Sequence, residues 1–164
     1  MPISNLESDF KNFTLLNCYF PSGSSGEHRQ AMKMKFLKDF RPYSRKLLAE
    51  KPNMIIVGDY NIANYDIDIH SPKTNKKTPG FLPEERDWLT RWWKVGFYDS
   101  FRTLYPEKVE YSWWSIRTNA RAKNKGWRID YLSVSEPLVK KLKDCKHLND
   151  VVHSDHCPVL LELK

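Results

Sequence analysis

Met54-Ile55-Ile56-Val57-Gly58-Asp59-Tyr60-Asn61 joins four apolar residues to a glycine, a carboxylate and, two positions on, a carboxamide. A short apolar run closed by turn residues suits a central strand buried on both faces. Upstream, residues 13–20 (Phe-Thr-Leu-Leu-Asn-Cys-Tyr-Phe) read as another strand, closed by Pro21-Ser22-Gly23-Ser24-Ser25-Gly26 and carrying Asn17 and Tyr19 on one face. Between them, from Glu27 onward, Met32, Phe36, Phe40, Tyr43 and Leu47 recur at spacings of three and four. That spacing predicts an amphipathic helix covering the sheet, with Pro42 either kinking it or opening a second helix. Downstream, a polar loop runs from about Asn61 to Leu82. Pro83 then opens a helix at its favoured first position, Glu84 and Glu85 suit its positive end, and Trp88, Leu89, Trp92 and Trp93 form its buried stripe. Tyr111 to Ser115, Arg128 to Val134 and Cys157 to Leu163 read as strands, with a short helix beginning near Pro137. Strands alternating with helices predict an α/β layered fold.

The 164 residues show no internal repeat, low-complexity tract or dividing linker, so residues 1–164 are expected to form a single domain. With 40% apolar residues and six Trp there is ample material for a core, which excludes disorder as the general state. No stretch approaches the ~20 apolar residues of a bilayer span, and the start, Met1-Pro2-Ile3-Ser4-Asn5-Leu6-Glu7, lacks the order of a signal peptide. The expectation is a cytoplasmic protein, or a nuclear one in a eukaryote, with no membrane partner. Cys18, Cys145 and Cys157 are odd in number and include no Cys-x-x-Cys pair, which argues for reduced, packed thiols. A net charge of +7 favours a polyanionic partner such as nucleic acid.

Three places could carry chemistry. Asp59 and Asn61 stand where a buried strand emerges, the usual position of sites in open α/β sheets. Such an Asp can act as general base or as an oxygen ligand for Mg²⁺, and such an Asn can orient a phosphate; an Asx-turn ending the strand explains the same residues. Ser154-Asp155-His156-Cys157-Pro158 offers an imidazole before the last strand, to stabilise developing charge if a carboxylate holds the ring. Asp130, in an otherwise apolar strand, needs a partner and could be that holder. A surface turn also accounts for Asp155 and His156. Finally, Tyr111 to Arg128 carries five cations and no acid, interleaved with three tryptophans. Cations grip phosphates and aromatic faces stack on sugars or bases, so this reads as a nucleic-acid groove, although a solvated basic loop has the same composition. Asn119 and Asn124 add neutral phosphate donors and favour binding. Lys73, Lys76 and Lys77 would extend the surface.

Together these segments resemble the C-terminal part of the exonuclease III class of apurinic/apyrimidinic endonucleases, within the endonuclease/exonuclease/phosphatase superfamily. The resemblance is carried by Asn17-Cys18-Tyr19-Phe20-Pro21-Ser22-Gly23, Gly58-Asp59-Tyr60-Asn61-Ile62-Ala63, Gly80-Phe81 with Pro83-Glu84-Glu85-Arg86, the run Tyr111 to Tyr131, and Ser154 to Pro158. In order and spacing they cover nearly the whole chain. The resemblance implies that Asp59 handles the proton of the attacking water, Asn61 orients the phosphate, Tyr19 contacts it, and His156, held by Asp130, stabilises the transition state. It places Asp155, with Asp59 and Asn61, around a metal ion, Mg²⁺ or alternatively Mn²⁺. Arg117, Asn119, Arg121 and Trp127 fall in its DNA-facing loop, and Asn75 in a phosphate contact. The implied reaction is hydrolysis of the phosphodiester 5′ to an abasic site in double-stranded DNA, with a 3′-to-5′ exonuclease activity beside it.

The implied fold is a layered sandwich of two similar halves, of which this chain resembles a little over one. Family members carry about a hundred further residues ahead of the Tyr motif, including a Gln-Glu-x-Lys segment whose Glu is a principal metal ligand; Glu7 and Glu27 lie in no such context. The expectation is a truncated form or a fragment, with apolar strand faces exposed and oligomerisation favoured. Two other readings stand beside the nuclease. One is a catalytically weak nucleic-acid-binding remnant. The other is a relative acting on phosphorylated small molecules or lipids, which the long basic loop disfavours.

Overall fold

The computed structural model describes residues 5–164, so residues 1–4 of the expected domain lie outside the described residues. Strands β1 (Asn5–Asp9), β2 (Thr14–Cys18), β3 (Met54–Asp59), β4 (Phe97–Asp99) and β5 (Asp130–Ser135) form a sheet of order β1-β2-β3-β5-β4. β2 and β3 are parallel and the other pairs antiparallel. Parallel neighbours need a crossover, which helix α1 (Glu27–Glu50) supplies. Helices α2 (Pro83–Trp93), α3 (Ser100–Leu104) and α4 (Glu136–Val139) follow, and β6 (Leu142–His147) pairs with β7 (Val159–Leu163) in a second, two-stranded sheet. The layered α/β architecture read from the sequence is present.

The apolar run of β3 sits in the middle of the sheet and feeds both faces. Met54 and Ile56 meet Phe36, Leu37, Phe40 and Leu47 of α1 and Leu89 and Trp92 of α2. Ile55 and Val57 face Leu138, Leu142, Leu161 and Leu163. On that second face Phe10, Phe13, Leu15, Val57, Leu161 and Leu163 border an open apolar groove of about 490 Å³. All three cysteines are free and buried. No helix among the described residues is long and apolar enough to cross a membrane.

Several expectations change. Pro42 opens no second helix: α1 runs unbroken through it. The ring and Lys38, whose carbonyl it leaves without a helical donor, both lie on the exposed side, where water serves instead. Residues 111–115 form no strand: Trp113 makes only isolated bridges to Trp127 and His156, and the pairing does not extend into a ladder. β4, α3 and β6 were not legible. The tryptophan stripe is core as expected, and of the two acids at the start of α2 Glu84 is exposed while Glu85 is fully buried.

Candidate active site

The antiparallel register of β3 and β5 sets Asp59 directly opposite Asp130. Gly58 permits this turn out of the sheet: its φ is +138°, and a Cβ there would lie 1.9 Å from the Cys18 carbonyl oxygen. The chain then turns back at Asn61, itself left-handed at φ 51°. Asn61 N–H donates to Asp59 Oδ1 at 2.7 Å, and Asn61 Nδ2 to Asp59 Oδ2 at 2.8 Å and to the Phe20 carbonyl at 2.9 Å. The Asx-turn and the site are thus one object: the bonds that end the strand also orient the carboxylate.

His156 reaches the same place from the far end of the sequence. Backbone bonds from Trp114 N–H to the Asp155 carbonyl (2.9 Å) and from Cys157 N–H to the Ser112 carbonyl (2.8 Å) clamp its turn against residues 112–114. Its Nδ1 lies 2.8 Å from Asp130 Oδ2. Ser112 stiffens the arrangement, its buried hydroxyl accepting the N–H groups of Ile129 and Asp130 at 3.0 Å each. Tyr19, Asp59, Asn61, Trp127 and His156 line one cavity of about 400 Å³, completed by Ser22, Ser24, Thr78, Pro79, Gly80, Trp113 and Ile129. A larger hollow of about 660 Å³ lies between α2 and β4, away from these groups.

Burial, and then the charge of Asp130, push the Asp59 carboxyl up to about 7 against the lowering effects of the Asn61 N–H, His156 and Lys33. For His156, partial burial favours the neutral ring, but the Asp130 bond and the charges of Asp130, Asp59 and Asp155 outweigh it and the pKa rises. A carboxyl able to exchange its proton near neutrality therefore shares a cavity with an imidazole biased toward its cation.

The remaining expected residues are dispersed. Asp155 stands off the cavity: its oxygens accept from Trp113 Nε1 at 2.9 Å and Ser154 Oγ at 3.0 Å, and these bonds outweigh burial to lower its pKa. Asn75 is turned into its own loop, donating to the His70 and Ser71 carbonyls. Arg117 and Asn119 are exposed. Arg121 points back into the protein, donating to the carbonyls of Ser154, Asn149 and Val151 at 2.9–3.0 Å and lying over the Trp114 ring at 4.5 Å. Arg128, counted in the basic run, is buried and bonded to Asp68 and Asp99. Of the five cations in that run, Arg117, Lys123 and Lys125 remain exposed. Sequence reading gave no site role to the cavity walls Ser22, Ser24 and Thr78–Gly80: Ser22 and Gly80 stand in segments that carry the resemblance, but small and turn-forming residues signal no chemistry of their own.

A hard divalent cation takes oxygen ligands. Asp59 and Asn61 offer oxygens at the cavity, but Asp155 is directed elsewhere, and no three His, Cys, Asp or Glu among the described residues converge to hold a metal ion. These residues alone do not complete a metal centre.

The model of the Endonuclease/Exonuclease/phosphatase family matches residues 5–156. The DNA repair nuclease APEX1 of Danio rerio is 42% identical over 159 residues, covering 96% of this chain and 51% of its own length. An exodeoxyribonuclease of Bacillus subtilis is 42% identical over 154 residues, covering 93% of this chain and 61% of its own. Among solved structures, the AP endonuclease LMAP from Leishmania major superposes with a TM-score of 0.79 at 31% identity, over 96% of this chain and 52% of that one. A 3′-5′ exonuclease from Neisseria meningitidis reaches a TM-score of 0.92 at 24% identity, over 97% of this chain and 64% of that one, a likeness of fold. The chain spans about half to three-fifths of the length of the curated relatives it matches.

Proposed function

The chain belongs to the endonuclease/exonuclease/phosphatase family, and from that premise we propose that its cavity is the phosphodiester-hydrolysing site of a DNA repair nuclease. The substrate is duplex DNA with an abasic site, cut on the 5′ side, and the same site removes nucleotides from 3′ ends. The observation that carries this reading is the His156–Asp130 pair, 2.8 Å apart, sharing a cavity with Asp59 and Asn61. Asp59 takes the proton of the attacking water, Asn61 and Tyr19 orient the phosphate, and His156, held by Asp130, stabilises the charge that develops on phosphorus-bound oxygen. Trp127 packs against the sugar at the cavity wall, while Arg117, Asn119, Lys123 and Lys125 grip the strand. Asn75 and Arg121 contribute through the loops they hold.

Nucleases of this family are generally dependent on a divalent metal. Mg²⁺, or Mn²⁺, supplies charge neutralisation at the phosphate when bound. Because this chain's donors do not complete such a centre, further ligands come from the substrate phosphate or from another polypeptide segment, and no step above depends on them. The incomplete donor set favours one second reading, a part that binds nucleic acid and cuts weakly.

The test is nicking of a duplex oligonucleotide with one abasic-site analogue, in Mg²⁺ and in EDTA, with His156→Ala as control. Metal-dependent nicking that the variant loses while retaining affinity supports the hydrolase. Duplex binding with no cleavage, and a log-log salt slope of about −4 to −5 for roughly five neutralised phosphates, replaces it with the binding reading.

A further inference from the structure

Behind the cavity lies a buried ion pair that touches two of its walls. Lys33, on the core-facing side of α1, and Glu85, in the first turn of α2, are both 0% exposed, and Lys33 Nζ lies 2.6 Å from Glu85 Oε1. Lys33 Nζ also donates to the Asn61 carbonyl at 2.8 Å. Glu85 Oε2 accepts the backbone N–H groups of Gly80 at 2.6 Å and Leu82 at 3.0 Å, and Gln30 Nε2 donates to Oε1 at 3.2 Å. Both tethered backbones have positive φ: Asn61 is left-handed at φ 51° and Gly80 stands at φ 95°. They also touch, since a Cβ on Gly80 would lie 3.1 Å from the Asn61 carbonyl oxygen and 3.1 Å from Trp127 Cζ3. Gly80 adopts its positive φ freely, but the left-handed conformation of Asn61 persists where its surroundings hold it.

Folding gives little reason for the pair. Phe36, Phe40, Trp88 and Trp92 already pack α1 against α2, and a buried ion pair is often no better for stability than apolar residues of the same volume. What apolar residues cannot do is hold two carbonyl and amide groups of different loops at fixed points.

We propose that Lys33 and Glu85 are positioning residues for the hydrolytic site: the pair fixes Asn61 from behind and the Thr78–Gly80 wall beside it, setting the width and orientation of the cavity that receives the phosphodiester. This rests on the hydrolase reading, and it assigns to the pair an effect on turnover that passes through Asn61 and the Gly80 wall rather than through contact with substrate.

The test is the double variant Lys33→Met/Glu85→Gln. It buries no unpaired charge and leaves an amide oxygen to accept from Gly80 and Leu82, but it removes the tether on Asn61. The expected result is a thermal midpoint within a few degrees of the parent and a KM for the abasic duplex within about threefold, with kcat lowered about 10- to 100-fold, the scale of a small misplacement in a site. Amide hydrogen exchange supplies a readout that needs no activity: Asn61, whose N–H is held by Asp59, exchanges at least about tenfold faster, while Ile55 and Ile56 in β3 keep the parent rate. An unchanged kcat with unchanged Asn61 protection overturns the proposal, and so does a uniform loss of protection across β3, which marks a purely structural pair. If the parent chain itself does not nick, the hydrolase reading fails and the exchange pattern alone decides whether the pair positions the cavity.

Discussion

Replacing Asp59 by Asn tests the electrostatic account of the cavity through stability, without reference to catalysis. The carboxyl ionises near 3.8 in an unstructured chain and at about 7 in the fold, raised first by burial and next by the charge of Asp130. The folded state therefore holds its proton more tightly than the unfolded state does. The corresponding stability is fully present below pH 3.8 and is lost as the pH rises through 7. The full difference is about 4 kcal/mol at 1.36 kcal/mol per pH unit, and about 2–3 kcal/mol of it falls between pH 5 and pH 8. An amide does not titrate, so the variant escapes that loss. It accepts only one of the two bonds that Asn61 now donates to Asp59, a cost of about 1–2 kcal/mol at every pH. About 1–2 kcal/mol of the parent's loss has already occurred at pH 5 and nearly all of it at pH 8, so Asp59→Asn is expected to be about as stable as the parent at pH 5 and about 2–3 kcal/mol more stable at pH 8. The assay is guanidinium unfolding at the two pH values in EDTA, comparing parent with variant. A stability difference that stays constant within about 0.5 kcal/mol between them, where about 2–3 is expected, refutes the assignment of a strained carboxylate.

Gly58→Ala, whose new methyl would meet the Cys18 carbonyl oxygen at 1.9 Å in a backbone of φ 138°, should destabilise by about 3 kcal/mol or more; a thermal midpoint unchanged from the parent contradicts the close approach of Gly58 to the end of β2. Arg128→Ala leaves the Asp99 carboxylate without a guanidinium and Asp68 with Arg102 alone and should cost about 3–5 kcal/mol in urea unfolding, with a loss below about 1 kcal/mol showing that water reaches Asp99. Arg121→Ala frees the carbonyls of Asn149, Val151 and Ser154. It should speed proteolysis within residues 149–154 and leave the salt slope of duplex binding unchanged, whereas a slope flattened by about 1 means the guanidinium meets a phosphate after all.

The segments legible in the sequence share one property: their physics is local. The run Met54–Val57 is apolar without interruption, Pro83 fixes a helix start, and the α1 stripe repeats over several turns, so each declares itself within a short window. The pairing of Asp130 with His156 was also legible, because a carboxylate in an apolar strand must find a partner and the Asp-His turn is the obvious supplier. What was not legible depends on partners far away in the chain. Lys33 in an apolar helix face reads as a solvated interruption until Glu85, 52 residues on, is placed against it. Arg128 closes a run of cations and looks like one of them, while Asp68 and Asp99 lie 60 and 29 residues back. β6 alternates imperfectly because its pairing with β7 shifts register between Leu142 and Asp144, and β4 spans only three residues, too few to show a period.

The distribution of charge separates the two groups of buried acids. In the core, Asp68 and Asp99 are answered by Arg128 and Arg102, carboxylates and guanidiniums in equal number. At the cavity, Asp59 and Asp130 stand opposite each other on adjacent strands, where like charges oppose pairing; His156, bonded to Asp130 and biased toward its cation, and Lys33, acting from behind, are the positive groups that face them. Because Lys33 is already paired with Glu85, the cavity sets two carboxyls against one imidazole, in a chain of net charge +7 and where the proposed reading seats a polyanion. The exposed Arg117, Lys123 and Lys125 can draw a DNA strand to the rim, but they do not neutralise the acids inside. A site of this composition repels its own substrate until positive charge enters from outside the chain. Added divalent cation should therefore tighten duplex binding by the parent protein and do so much less for Asp59→Asn, as measured by fluorescence anisotropy at constant ionic strength. Equal tightening in both proteins would place the cation on the DNA rather than in the cavity.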